Sequence, residues 1–269
     1  MEVNGKTFSV GADPEIFVSK MGEFISAHNL VPGTKRNPHK VNKGAVQVDG
    51  MALEFNIDPC LSDTEFDSAL TTVMSQLKEM VPDCEFMDSS SVIFSEKFLE
   101  SVPEFALELG CEPDYNGWTL DENVKPNGAA LMRTAGGHVH IGGFETDQPF
   151  NLDHFLSSAR LSRILDETLG LPSLLWDQDD QRRQMYGKGG SFRPKKYGME
   201  YRTLSNKWLF NPLVRFFIFD GVKTALNLWC DPLYEPMGDV REVLDNSDRS
   251  SKLFKSSPYV QKAQQYLGV

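Results

Sequence analysis

Four short segments each place two polar or charged residues two apart: Asp13 and Glu15 in GADPEIF, Glu54 and Asn56 in DGMALEFN, His138 and His140 in GGHVHIG, and Glu200 and Arg202 in YGMEYRTL. A strand projects residues i and i+2 from one face, so each pair points one way and its apolar neighbours the other. A single polar pair on a half-exposed strand is ordinary. Together the segments offer Asp13, Glu15, Glu54 and Glu200 with one or two imidazoles. Carboxylates crowded on one face repel and lose charge unless a cation sits among them. Magnesium or manganese suits carboxylate oxygens and tolerates an imidazole. Zinc suits this set less well, because Cys60, Cys84, Cys111 and Cys230 are scattered without a C-x-x-C pair.

A second feature is cationic. Residues 182–207 hold Arg182, Arg183, Lys188, Arg193, Lys195, Lys196, Arg202 and Lys207 against Glu200 alone, a local net of +7 in a chain of −11, so the remainder carries −18. A solvated basic loop is the plain explanation and a localised anion site the functional one. Gly187, Gly189 and Gly190 suggest a flexible loop whose backbone N–H groups could wrap a polyphosphate, and arginine forks match phosphate oxygens. Neither G-x-x-x-x-G-K-[ST] nor G-x-G-x-x-G is present. Carboxylates for a metal and cations for phosphate converge on the segment ending at Arg202, and a metal-bound nucleotide needs both.

The net charge of −11 argues against general nucleic-acid binding. No stretch approaches a membrane span of roughly 20 apolar residues. MEVNGKTFSV lacks the basic and apolar regions of a signal peptide. The expectation is a cytoplasmic protein with reduced, buried cysteines and a single domain over residues 1–269.

The elements that must position these residues read as follows. KTFSVGADPEIFVS, EFISAH and AVQVDGMALEFNI alternate like strands, and Pro14 suggests an edge or first-strand position for Asp13–Glu15. Ser62 and Glu65 have capping-box spacing before Phe66, Leu70, Val73, Met74 and Leu77, predicting a helix to about Val81. A helix capped at Asn151 or Asp153 is expected to stop at Gly170 and Pro172. A loop over 177–190, a strand around 197–204, a helix from Pro212 to about Trp229 and a short helix from Pro258 follow. Glycines at 136, 137, 142 and 143 permit close approach of a ligand or another backbone. Arg133 is a candidate partner for a substrate carboxylate, and Tyr186 and Tyr197 are candidates for stacking on adenine. The pattern is α+β, a largely antiparallel sheet with helices on one face and the other open for a site.

In this order, D-x-E, a glutamate strand, G-x-H-x-H and E-x-R resemble the glutamine-synthetase-like carboxylate–amine ligases. GGHVHIG is most similar to the glutamate–cysteine-ligase-like branch, and RRQMYGKGGSFRPKKYGMEYRTLSN to phage-encoded amidoligases. The resemblance implies a curved antiparallel sheet with helices on its convex face and an ATP-dependent ligase. It forms an amide through an acyl phosphate from a small-molecule or peptide carboxylate and an amine, in the host cytoplasm if phage-encoded. By the same resemblance Asp13, Glu15, Glu54, His138 and Glu200 look like ligands for Mg2+ or Mn2+. His140, Lys188, Arg193 and Arg202 look like nucleotide contacts, and Arg193, Lys196 and Arg202 like the catalytic cations. Asp13 stands where the family commonly has glutamate, and Asp49 is a doubtful second carboxylate beside Glu54. A guanidino-kinase-like phosphotransferase on the same fold, a metal-dependent hydrolase using His138 and His140, and a non-catalytic binding module remain alternatives.

Overall fold

The structure is a computed structural model that describes residues 1–107, 113–124 and 131–269. Cys111 and much of the Pro-, Asn- and Gly-rich loop before residue 131 lie outside it. Two antiparallel sheets share one run of chain. In the first, Tyr115–Asn116, Ser191–Lys195, Gly198–Tyr201, Val139–Gly142 and Ser9–Ala12 lie side by side. In the second, Glu23–Ile25, Glu15–Lys20, Ala52–Ile57, Gly44–Asp49 and His39–Val41 do so, with Glu85–Met87 also pairing Glu15–Lys20.

The shared run passes from Ser9–Ala12 to Glu15–Lys20 through Asp13 and Pro14. Backbone pairing continues across the join, with Asp13 N donating to His138 O at 3.3 Å and Glu15 N to Gly136 O at 2.9 Å. Pro14 therefore lies at the join between Ser9–Ala12, the last strand of the first sheet, and Glu15–Lys20, which is flanked on both sides in the second. Its missing N–H costs little because Ala52–Ile57 begins to pair one residue later, at Glu15↔Glu54, and Pro14 O still accepts from Phe55 N.

Alternation divides the two faces. Val10, Ile16, Val46, Leu53, Phe55, Val139, Ile141, Phe192, Met199 and Tyr201 join one buried core. Phe66, Leu70, Val73 and Leu77 of the helix Asp63–Met80, Leu161 and Ile164 of Leu152–Leu165, and Phe217 and Ile218 of Pro212–Trp229 complete it. The first two helices pack on that face and the third packs against both of them, and none of the described helices is long and apolar enough to cross a membrane. Ser62 caps the first helix through Glu65 N, with Glu65 reaching back to Leu61 N; Asn151 and Asn211 cap the other two.

Several boundaries differ from expectation. Gly170 and Pro172 do not end the second helix, because the chain passes into a π-turn at Asp166–Gly170 and on through Leu171–Ser173. The wider turn removes the i−4 bond that a proline would otherwise break. The loop 177–190 contains a helix, Asp180–Met185, and the basic segment forms a hairpin of Ser191–Lys195 and Gly198–Tyr201. Cys60 and Cys84 are buried free thiols, whereas Cys230 is half-buried.

Candidate functional site

The face opposite the helices carries two cross-strand rows. Arg193, Glu200, His140 and Gly11 occupy successive strands of the first sheet. Glu15, Glu54 and Gln47 occupy successive strands of the second. Asp13, on the shared run, stands between them. All except His140 and Gly11 line one cavity of about 750 Å3, together with His138, Lys188, Lys195, Arg202, Arg133, Lys35 and Asp49.

At the first row the contacts are short. Asp13 Oδ1 lies 3.2 Å from His138 Nδ1 and 3.1 Å from His140 Nε2, and Glu200 Oε1 lies 3.5 Å from His138 Nδ1. One ligand atom from each of Asp13, His140 and Glu200 lies within 4.8 Å of the others. Arg193 Nη1 and Lys195 Nζ each approach Glu200 Oε2 at 3.2 Å, and Arg202 donates to Glu200 Oε1 and to the Tyr186 hydroxyl. Burial raises the Asp13 carboxyl, but His140 and His138 outweigh it and hold it well below the usual range. Burial and Asp13 push Glu200 up, while Arg193 and both imidazoles bring it below its ordinary value.

The second row behaves oppositely. Burial raises Glu15, and burial with Asp13, Asp49 and Glu15 raises Glu54 well above a normal carboxyl. Gln47 Nε2 donates to Glu54 Oε2 at 2.6 Å and Gly136 N to Glu15 Oε2 at 2.8 Å. Asp49 joins this end through Lys35 Nζ at 2.7 Å.

The residues present suit a hard divalent cation. Asp13 Oδ1, His138 Nε2 and His140 Nε2 are buried without a hydrogen-bond partner, even where carboxylate and imidazole nearly touch. The Asp13 oxygen and the His140 nitrogen, 3.1 Å apart and left unbonded, share one spot that a magnesium or manganese ion would satisfy, whereas His138 Nε2 lies on the far side of its ring, against Gly136.

Sequence periodicity therefore brings Asp13, Glu15, Glu54, His138, Glu200, Arg193 and Arg202 to one cavity, with Lys188 exposed at its rim. It gives His140 a different neighbourhood: beside Asp13, within the cluster of candidate ligands. Lys196 is exposed on the hairpin turn and does not line the cavity; Lys195 does. The spacing S-F-R-P-K already held that signal, since Lys195 is two residues from Arg193 and shares its face. Gln47 and Asp114, the latter with Oδ2 3.5 Å from Arg202 Nε, carried no comparable sequence signal.

The glycine loop differs too. Two of its N–H groups are taken by acids of the protein: Gly189 N donates to Asp245 Oδ1 at 2.9 Å, and Gly190 N bonds the carboxylate of Asp166. What the loop adds to the cavity lining is Gly187 and Lys188. The tyrosine faces are also engaged, Tyr186 by Arg182 and Arg202 at 5.8 and 5.5 Å and Tyr197 by His140. The glycines flanking the histidines admit protein rather than ligand: a Cβ at Gly143 would strike the backbone of Thr7, and one at Gly137 the backbone of Ser205.

Residues 128–227 match the family model described as Phage phiEco32-like COOH.NH2 ligase-type 2. The match covers the histidine strand, the π-turn, the basic loop and the hairpin carrying Arg193 and Glu200. The motif resemblance to phage-encoded amidoligases thus agrees with an independent comparison over this segment. No curated protein matches the chain.

Proposed function

We propose, taking similarity to the phage carboxylate–amine ligase family as the premise, that this chain is an ATP-dependent ligase that joins a carboxylate to an amine. The reading extends to a glutamine-synthetase-like catalytic domain over 1–269, with helices on the convex face and kinship to the glutamate–cysteine-ligase-like branch. Its setting is the host cytoplasm. The observation that carries it is the meeting, on one open sheet face, of Asp13, His138, His140 and Glu200 with Arg193, Lys195 and Arg202, while buried lone pairs among them stay unbonded.

Asp13, Glu200 and His140 would hold one Mg2+ or Mn2+ with His138 beside them, and Glu15 and Glu54 a second. When bound, the cation offsets phosphate charge near the reacting oxygens. Arg193 and Arg202 supply planar donors for phosphate oxygens, and Lys188 a mobile ammonium at the entrance. In the reaction class, a substrate carboxylate oxygen bonds to the γ-phosphorus as the bond to ADP breaks, and an amine then displaces phosphate from the acyl carbon. With so little covalent work for the protein, positioning and fixed charge provide the catalysis.

The test is calorimetry of ATP binding with and without Mg2+ on the wild type and on Glu200→Gln. The wild type should bind ATP in a Mg2+-dependent way and the variant at least a hundredfold more weakly. Equal binding in all conditions sinks the reading. ADP release that needs both a carboxylate and an amine then separates a ligase from a phosphotransferase, which would need a single acceptor.

A further inference from the structure

The end of Ser191–Lys195 and the turn that follows it touch two of the three clustered candidate ligands. Lys195 Nζ is 3.2 Å from Glu200 Oε2. Two residues on, the Tyr197 hydroxyl lies 2.5 Å from His140 Nδ1, with the two rings 15° from parallel and their centroids 5.7 Å apart. On His140 the contact falls on the atom remote from Asp13, which it meets through Nε2, and on Glu200 it falls on the oxygen other than the one facing His138.

The turn is held in place by backbone. Gly143 N donates to Tyr197 O at 3.1 Å, and Gly198, at φ +148°, packs so closely that a Cβ there would strike Ile141 O. Tyr197 is thus set by the strand that carries His140, independently of what the cavity contains.

We propose that Tyr197 is a positioning residue for the cation site. Its hydroxyl oxygen accepts the Nδ1–H of His140, and its own proton turns to solvent, since Tyr197 is 37% exposed. A neutral imidazole carries one proton. Fixing that proton on Nδ1 leaves the Nε2 lone pair aimed at the ion shared with Asp13 and Glu200. The inference rests on the cation reading given above.

The test uses Tyr197→Phe, which keeps the ring and removes the hydroxyl. Mn2+ binding is measured by calorimetry on both proteins, and the His140 tautomer by long-range proton–nitrogen NMR on the Mg2+-loaded wild type. The expected results are a 10- to 100-fold weaker Mn2+ affinity in the variant, an unchanged melting temperature, and a proton on Nδ1 in the wild type. Undiminished Mn2+ affinity in Tyr197→Phe, or a proton on Nε2 in the loaded wild type, overturns the role of Tyr197 alone. A wild type that binds no Mn2+ overturns the cation reading itself. Should the variant fail to fold, the wild-type tautomer decides.

Discussion

Glu200 and Glu54 face the same cavity from equivalent positions in neighbouring sheets, yet their surroundings drive them in opposite directions. Three cations, Arg193, Lys195 and Arg202, converge on Glu200, and Arg193 with the two imidazoles keeps it charged. Glu54 meets other carboxylates and an amide, with Lys35 held at Asp49, and is pushed toward its protonated form. Burial alone does not set the character of a buried acid; the sign of its neighbours does. One end of the cavity sets protein cations against its glutamate, the other sets acids against one another.

The largest test of that contrast is Glu200→Ala. Removing the carboxylate shared by three partly or fully buried cations should destabilise the protein by about 3–5 kcal/mol in chemical denaturation. A loss below 1 kcal/mol would mean that the network is not what keeps Glu200 charged.

Asp166 adds a third environment. It is buried, accepts from Trp118 Nε1 and the Tyr201 hydroxyl at 2.7 Å each, and has no cation among its bonded partners in the described residues; burial raises it to about 7. Asp166→Asn puts an amide N–H2 against donors and should cost about 1–3 kcal/mol, read from the denaturation midpoint. A neutral result would show that Asp166 is already the neutral acid at the pH of the measurement.

Glu54→Gln should go the other way. A carboxyl whose folded pKa is raised favours the protonated fold, so its contribution is lost as pH rises above the unfolded value of about 4.3. The glutamine variant escapes that loss while keeping an oxygen for Gln47. Its metal-free melting temperature at pH 8 should exceed the wild type by roughly 2–4 °C, or about 1 kcal/mol, and match it at pH 4. A lower melting temperature at pH 8 breaks the comparison. Lys196→Ala, outside the cavity, should change stability by less than about 0.5 kcal/mol and leave Mn2+ affinity unaltered.

Much of this was legible in residue spacing. The period-2 pairs put Asp13, Glu15, Glu54, His138 and Glu200 on faces that the structure joins, and Ser62, Asn151 and Asn211 mark their helices through capping chemistry. What spacing does not encode is lateral. That Gln47 sits opposite Glu54, or that His140 rather than His138 offers Nε2 to Asp13, depends on strand order and ring rotation. The basic loop misled for a related reason: three glycines promise available amides, but whether these stay available depends on Asp166 and Asp245, about 20 and 55 residues away. The π-turn at Asp166 has no periodic signature, because one residue added to a helix looks like a continued helix.

The shared run across both sheets has a consequence for how such a gene can change. Asp13 and Glu15 are spaced by two residues of extended chain, roughly 6.6 Å, the one at the join between the sheets and the other opening the strand of the second. One codon gained or lost at Pro14 would reverse which face every later residue of that run presents, sending Glu15 among the helices and Ile16 into the cavity. Length at this point is fixed as firmly as identity, and evolutionary drift in this protein must go around it by substitution.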